Sequence, residues 1–421
     1  MRALLIVLCV LLFSPLSRAA EPYGRDFVLL ADLADAFEPP GAAEAPPPED
    51  LRAHIRDLEQ RLQEQRNAGG PYAPAQAETL GDLARLLEQT GRGREALELR
   101  EKALHLVRVN DGLYSPTQAP FVREILEALR RSGDLPALDD RYNYFFRLYG
   151  SGRPPWDDRR WKALLEYVDW QREALAVELD GGDPRDRLLE LYDLLDDVQE
   201  ALLTPADGIL KWRRLVDTVH ARLAVFYLLE DLVQPQEDFR SIRGDIRRFD
   251  DPGEFDLRRE RLENLHRSLK SRGKSIIEEA LMLVPPQAFR ERMELELALA
   301  DWLQWYGTTR EARQRYLTIW KALRERGDDA TIARWFSGPR PLPADGAFRS
   351  AGDPSESLLV NVSVSESGRG RGAAEQPPEG QKRAIGRLTS YIANTRFRPR
   401  IVDGEVVEAR YENVPWVLLY R

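Results

Sequence analysis

Side chains that could perform acid–base or metal chemistry are few in this sequence and widely separated. The aspartates Asp196 and Asp197 are adjacent, and neighbours on a helix point about 100° apart, so they cannot act as a pair on one substrate atom. No histidine belongs to an H-E-x-x-H motif or a comparable ligand spacing; the four are His54, His105, His220 and His266. We therefore predict a protein that is not an enzyme, with no catalytic residue, no cofactor and no metal site.

Two further patterns resemble ligand-binding motifs but have simpler explanations. The glycine-rich stretch ESGRGRGAA, residues 366–374, lacks the G-x-G-x-x-G spacing and does not open a helix. We expect a flexible loop there and not a phosphate site. Trp156, Trp161 and Trp170 could line a sugar-binding groove, but their helical spacing favours positions in the core or half-buried between helices.

A cluster of positive charge near the C-terminus is the strongest candidate for recognition. Residues 381–402 carry six cationic side chains and no acid, and three of them alternate with Phe397 and Pro399. Alternation predicts that these three arginines line the solvent side of one strand. Two interpretations stay open: a charged edge that resists aggregation, or a surface for an acidic ligand or for the protein's own acidic helices. The six are Lys382, Arg383, Arg387, Arg396, Arg398 and Arg400.

The N-terminus predicts export. Met1-Arg2 is a short basic segment, an unbroken apolar run covers residues 3–13, and small residues lead to Ala19 and Ala20. This is the pattern of a cleaved secretory signal peptide. Cys9 lies inside the apolar run and not at the cleavage point of a lipoprotein, so the mature chain has no cysteine and no disulfide.

Charge and export together point to the periplasm of a Gram-negative bacterium. Residues 1–20 hold two arginines and no acid, so their removal takes the formal charge from -9 to -11. An acidic chain disfavours nucleic acid and anionic membrane as partners. After cleavage we expect no membrane span.

Composition divides the chain into five parts. Residues 1–20 are the signal peptide, and residues 21–48 form an N-terminal segment that ends in a Pro/Ala-rich linker. Helical patterning occupies residues 49–337. A Pro/Gly linker follows at 338–356, because three prolines and two glycines in nine residues cannot continue a regular element. Residues 357–421 form a C-terminal domain.

The helical region contains pairs of helices around a turn glycine. Small or apolar residues recur at fixed offsets on both sides of Gly91 and Gly307, with a weaker copy around Gly133. Small residues such as Ala84 and Ala96 let two antiparallel helices approach closely, while the glycine supplies a left-handed turn. The pattern resembles the tetratricopeptide repeat, although an irregular helical bundle stays possible, since residues 156–285 show no clear repeat. Such arrays offer binding surfaces more often than catalytic sites.

The C-terminal region changes to strands. Residues 357–365 alternate as a half-buried strand, residues 381–394 form an amphipathic helix, and a hairpin follows. Asp403-Gly404 could form a two-residue type I′ turn. The parity of the apolar residues instead favours a three-residue loop, Val402-Asp403-Gly404, with a bulge.

Residues 357–421 resemble the C-terminal domain of TonB-type proteins. Phe397, Pro399 and Gly404 match the positions by which that domain is most readily recognised, and Val414–Leu419 match its final strand. The resemblance implies a module that pairs, strand to edge, with an extended peptide of another protein. The family's second strand should be missing or reduced here, which leaves a sheet edge uncovered. The candidate partner-binding residues are Arg396, Arg398, Arg400, Val414, Trp416 and Leu418.

The predicted fold is therefore mainly α, an antiparallel helix-pair array, with a small C-terminal α+β domain built from an antiparallel sheet and one helix. We expect a periplasmic, non-catalytic scaffold that binds another protein or an extended peptide of the cell envelope. One alternative is a TonB-like energy transducer with a retained N-terminal anchor. A second is a cell-envelope enzyme that carries no recognisable motif. The sequence leaves the oligomeric state open.

Overall fold

A computed structural model describes residues 27–29, 48–177, 179, 184–203, 210–232, 252–343, 357–374 and 379–418. The predicted signal peptide, its cleavage point and most of the Pro/Ala-rich linker lie outside these residues. Twelve helices precede the C-terminal region in the described part of the chain: α1 Pro48–Gly69, α2 Gln76–Gln89, α3 Gly93–Asp111, α4 Ala119–Ser132, α5 Leu135–Leu148, α6 Asp158–Ala176, α7 Arg185–Leu203, α8 Leu210–Leu232, α9 Pro252–Leu283, α10 Phe289–Trp305, α11 Thr309–Glu325 and α12 Asp329–Phe336.

The turn glycines adopt the predicted left-handed conformation. Gly91, Gly133 and Gly307 have φ values of 77°, 72° and 76°. At each turn the residue after the glycine donates a backbone hydrogen bond to a carbonyl five residues earlier; Arg92 N–H, for example, lies 3.0 Å from Leu87 O. This is the Schellman arrangement, which satisfies the last carbonyls of the first helix while the chain reverses. Gly327 repeats it between α11 and α12.

Small residues lie where neighbouring helices approach each other. Ala84 on α2 and Ala96 on α3 are fully buried, and Ala300 on α10 and Ala312 on α11 repeat this arrangement. A larger side chain at these sites would separate the axes or overpack the interface. The helix pairs predicted around Gly91 and Gly307 are thus confirmed.

The middle of the body consists of longer helices packed into one large apolar core. This core takes side chains from α6–α11, including Trp161 and Trp302. Trp161 and Trp170 are buried, and Trp156 is half-buried with its ring 5.6 Å from that of Trp161. Their predicted role in the core is confirmed. Within the described residues no helix is both long and apolar enough to cross a membrane.

The C-terminal region is a small sheet covered by one helix. Its elements are β2 Arg340–Pro341, β3 Ser357–Val364, β4 Gly370–Ala373, α13 Lys382–Asn394, β5 Phe397–Arg398, β6 Arg400–Val402, β7 Glu405–Val407 and β8 Ala409–Leu418. The main sheet has the strand order β1-β8-β3-β4, where β1 is Phe27–Leu29 from the N-terminal segment. Short antiparallel pairs join β2 to β5 and β6 to β7.

Alternation along β3 builds the core of this region. The predicted inward residues are buried, whereas Leu359 on the opposite face is 53% exposed. They pack with Trp416 of β8 and with the apolar stripe of α13; the β3 residues are Leu358, Val360, Val362 and Val364, and the stripe is Ile385, Leu388 and Ile392. The predicted fold class, a helical array followed by a small unit of antiparallel strands, is confirmed.

The glycine-rich segment is not the flexible loop that the sequence predicts. Gly370–Ala373 pair with β3 as the short strand β4, so the second strand is reduced and not lost. A Cβ on Gly370 would lie 2.4 Å from the Phe397 ring and 2.6 Å from Ile392 O. Glycine is therefore needed because α13 and Phe397 pack directly on this strand.

The predicted three-residue hairpin loop is wrong. Arg400 pairs with Val407 and Val402 with Glu405, and both turn residues have positive φ, 50° at Asp403 and 82° at Gly404. These features define a two-residue type I′ turn. Parity misled the prediction because Ile401 and Val406 bury their side chains in the core of the helical body and not in the sheet.

Candidate protein-interaction sites

A buried ion pair joins the C-terminal region to the helical body. Arg398 of β5 donates to both carboxylate oxygens of Asp301 on α10, with Nε–Oδ1 and Nη2–Oδ2 distances of 3.0 and 2.6 Å. Its Nη1 donates to Trp335 O at 3.0 Å, and the hydroxyl of Tyr316 donates to Asp301 Oδ1 at 2.8 Å. Every polar group of the pair is thus used inside the protein, which is how a buried charge pair is tolerated.

Electrostatics at this pair follow from its burial. Burial disfavours the charge of Arg398, but the Asp301 carboxylate outweighs this effect and raises the pKa of Arg398. Burial and the same carboxylate raise the pKa of the Tyr316 hydroxyl well above its usual range. Arg398 therefore stays charged and Tyr316 stays neutral at any physiological pH.

Gln304, one turn after Asp301 on α10, makes a second contact between the helical body and the C-terminal region. Its side-chain nitrogen donates to Ser367 O at 2.8 Å and to Phe397 O at 3.2 Å. Gly368 lies against this amide, and a Cβ there would be 2.0 Å from Gln304 Nε2. Asp301 and Gln304 were missed at the sequence level, although two polar residues at i and i+3 in an otherwise apolar helix face were the available signal.

The three arginines do not line one solvent face. Arg398 is only 6% exposed, so its predicted solvent position is wrong; β5 packs against α10 and not against water. Arg396 and Arg400 are half-buried. The sequence left two interpretations open, and one of them included contact with the protein's own acidic helices. Arg398 makes such a contact, with Asp301 on α10. A role of Arg396 and Arg400 in partner binding stays a hypothesis.

The remaining candidate residues lie at the end of β8. Val414 and Trp416 are 8% and 0% exposed, with Trp416 in the core beneath α13. Leu418 is the last residue of β8. Val414 and Trp416 can therefore offer a partner their backbone but not their side chains.

The backbone edge at the end of β8 is occupied. β1 runs antiparallel to the end of β8, and the register places Phe27 opposite Leu418, Val28 opposite Val417 and Leu29 opposite Trp416. The end of β8 is therefore covered at these three residues by a strand from the N-terminal segment, on the opposite side of the sheet from the reduced second strand β4. Nothing in the composition of residues 21–48 indicated this strand.

A second surface is a groove of about 1100 Å³ across the first helices of the array. Faces of α1, α3 and α5 form its walls, and the turn at Pro71-Tyr72 closes one side. Tyr72 is 55% exposed, and its ring lies 6.2 Å from that of His105. Exposed aromatic surface inside a groove is typical of protein-recognition sites.

Charge in the groove is predominantly negative. Lys102 and Arg66 lie on its walls, and Arg141 is held by Glu101 at 2.5 Å. Against these three cations stand five carboxylates: Glu59, Glu98, Glu101, Asp134 and Asp140. The groove thus combines apolar floor, exposed tyrosine and excess acid.

The described residues hold no cluster of three or more His, Cys, Asp or Glu side chains that could bind a metal. Asp196 pairs with Arg222 at 2.7 Å, which gives it a structural partner on the neighbouring helix α8. His105 lies in the groove, and His220 in a smaller pocket beside the Arg398–Asp301 pair.

Comparison with known proteins adds little to this description. No protein-family profile and no curated protein matches the chain. Among solved structures, the chain is similar to the "Crystal structure of Podosopora anserina putative kinesin light chain nearly identical TPR-like repeats", with 17% sequence identity and a TM-score of 0.30, over 47% of this chain and 90% of that chain. A TM-score of this size does not establish a shared fold, so the helix-pair description rests on the turns and burial given above.

Proposed function

We propose that the protein is an exported, non-catalytic scaffold that binds other proteins, with the periplasm as its compartment. The single observation that carries this proposal is the open acidic groove across α1, α3 and α5. At the junction, Arg398, Asp301 and Gln304 bind one another or the backbone, whereas Tyr72 and most of the groove carboxylates are exposed to solvent. Such a surface is suited to binding another molecule and not to catalysis.

The groove favours a particular kind of ligand. Its excess of carboxylates complements a basic segment, and the half-buried Leu62, Leu97 and Leu99 beside Tyr72 complement an apolar anchor. A segment with alternating basic and apolar residues meets both demands. The C-terminal sheet is fixed on the same helical body, and strand addition at its edge, which the TonB resemblance implies, would give a partner a second contact.

Photocrosslinking from a matched pair of tyrosines tests this proposal. A photoreactive amino acid replaces Tyr72 in the groove or, as control, Tyr114, which is equally exposed at 55% but lies outside the groove. We expect discrete protein adducts in cells from position 72 only. Asp140→Lys should reduce them, whereas Asp197→Lys, an exposed acid on α7, should not. Equal adducts from both tyrosines, or none from position 72, would contradict the proposal.

A further inference from the structure

A second cavity, the junction pocket, has a volume of about 420 Å³ and lies where the C-terminal region meets the helical body. Its walls come from α8, α10 and α12 and from the short strands β2 and β5. Five arginines and two carboxylates line it, so it is cationic in a protein whose formal net charge is -9. The arginines are Arg213, Arg290, Arg334, Arg340 and Arg398.

The two carboxylates of the junction pocket already have cationic partners. Asp301 is held by Arg398 at 2.6 Å. Glu294, whose side chain is only 14% exposed, accepts from Arg213 at 2.5 Å and from Arg290 at 3.1 Å. Both negative charges are thus neutralised within the wall of the pocket, and what a ligand meets there is mainly guanidinium.

Arg290 keeps part of its guanidinium available. It uses Nε for Glu294, its side chain is 70% exposed, and its two terminal nitrogens have no partner in the described part of the chain. Arg213, by contrast, is occupied by both Glu294 and Asp217. Arg290 can therefore donate to a ligand without giving up its ion pair.

Arg334 is the second available cation. It is exposed on α12, and no described acid forms an ion pair with it. The pKa of Asp328, at the start of the same helix, is lowered mainly by hydrogen bonds from Thr331 and to a smaller extent by the charges of Arg334 and Arg290. Both guanidinium groups thus lie within electrostatic range of one carboxylate, although Asp328 does not line the pocket. One anion in the pocket can interact with both arginines.

Apolar side chains line the rest of the junction pocket. Leu223 and Ala224 of α8 and Leu297 of α10 are buried there, together with the buried Tyr227 and the half-buried Trp335. The volume falls within the range of about 300–1000 Å³ that small-molecule sites occupy. Available guanidinium groups beside an apolar wall suit a small anion that carries an apolar part.

We propose that the junction pocket binds a small phosphate monoester attached to an apolar or aromatic group. Guanidinium donates paired N–H groups that match the oxygens of a phosphate. A phosphate monoester is close to a dianion at neutral pH, so it can compensate both Arg290 and Arg334, whereas a carboxylate offers one charge. This ligand site goes beyond the proposed scaffold function and does not depend on it.

Isothermal titration calorimetry with phenyl phosphate is the first test. We expect saturable binding of one molecule per chain, with a dissociation constant of about 1 mM. Phenylacetate, which has the ring but a single charge, should bind about tenfold more weakly. Benzyl alcohol, the same ring without a charge, should not bind. Equal affinity for phenyl phosphate and phenylacetate, or no binding of phenyl phosphate, would overturn the proposal.

Matched arginine variants locate the binding energy. Arg334→Gln and Arg290→Gln should each weaken phenyl phosphate binding about tenfold, since each removes one charge-assisted contact. Arg310→Gln removes an equally exposed charge on α11, outside the pocket, and should leave binding unchanged. Glu294 keeps Arg213 when Arg290 is replaced, and Arg334 has no ion pair to lose, so both variants should fold. Equal effects of all three substitutions would refute the site.

Hydrogen exchange checks the location independently. At about ten times its dissociation constant, phenyl phosphate should slow exchange of the α12 amides by up to about elevenfold, because opening of α12 releases the ligand. Exchange in α2 and α3 should not change. Protection confined to α1–α5 would place the ligand in the acidic groove and contradict the inference. Cosedimentation with phosphatidic acid vesicles that Arg334→Gln abolishes would overturn the assignment to a small soluble molecule.

Discussion

Replacing Arg398 with methionine should release the C-terminal region from the helical body. The substitution removes three donated hydrogen bonds, two to Asp301 and one to Trp335 O. It leaves the carboxylate, only 8% exposed, with the Tyr316 hydroxyl as its remaining close donor at 2.8 Å. A buried, uncompensated charge is the dominant consequence.

Breaking one partner of a buried ion pair costs about 3–5 kcal/mol. Because Tyr316 still donates to Asp301, we expect the lower end, about 3 kcal/mol. Arg400→Met is the matched control: it is two residues away and half-buried, and no ion pair is found for it among the described residues, so its effect should be within about 0.5 kcal/mol. The double variant Arg398→Met/Asp301→Leu should be less destabilised than Arg398→Met, since no charge is left buried.

Hydrogen exchange measures the local effect without requiring two-state unfolding of a large chain. A loss of about 3 kcal/mol in local opening free energy corresponds to about a hundredfold faster exchange of amides 397–407. Helices α2 and α3, far along the chain from the junction, should exchange at the same rate in both variants. If Arg398→Met and Arg400→Met accelerate exchange equally, the ion pair does not hold the C-terminal region.

Two further outcomes follow from local packing and capping. Gly370→Ala should destabilise the C-terminal sheet by about 1–3 kcal/mol, because its Cβ would overlap Phe397. Gly386→Ala, in open space within α13, should stabilise the protein by about 0.5–1 kcal/mol. Thermal unfolding of both variants measures the direction of each change. Asp157 accepts the Arg160 N–H at 2.8 Å at the start of α6, which lowers the pKa of this carboxyl. Its contribution to stability is present above its unfolded pKa of about 3.9 and is lost as pH falls through the lower folded value. Asp157→Asn should therefore flatten the pH dependence of the unfolding midpoint below about pH 4, and an unchanged profile would contradict the capping role.

Local patterns predicted the elements whose partners are close in sequence. Gly91 and Gly307 are turn glycines flanked by small residues, so both the turn and the close helix approach follow from a few neighbouring positions. Strand β3 was predictable for the same reason, because its alternation is complete over eight residues.

Features that depend on contacts between distant segments could not be predicted from local patterns. The predicted hairpin register was wrong because Ile401 and Val406 are buried in the core of the helical body, among helices that lie far earlier in the chain. Arg398 looked like a surface residue because the groups that make its burial tolerable, Asp301 on α10 and Trp335 O on α12, are distant in sequence. β1 could not be foreseen, since a three-residue strand has no periodicity to detect.

The central claim about the architecture is that the C-terminal sheet is fixed to the helical body, so that the sheet and the groove belong to one scaffold. Spin labels at Met282→Cys on α9 and Leu359→Cys on β3, exposed by 78% and 53%, measure it by double electron–electron resonance. We predict a single narrow distance distribution for the wild-type background and a broader one with Arg398→Met. A broad distribution without that substitution would show a freely tethered domain and would contradict the proposed architecture.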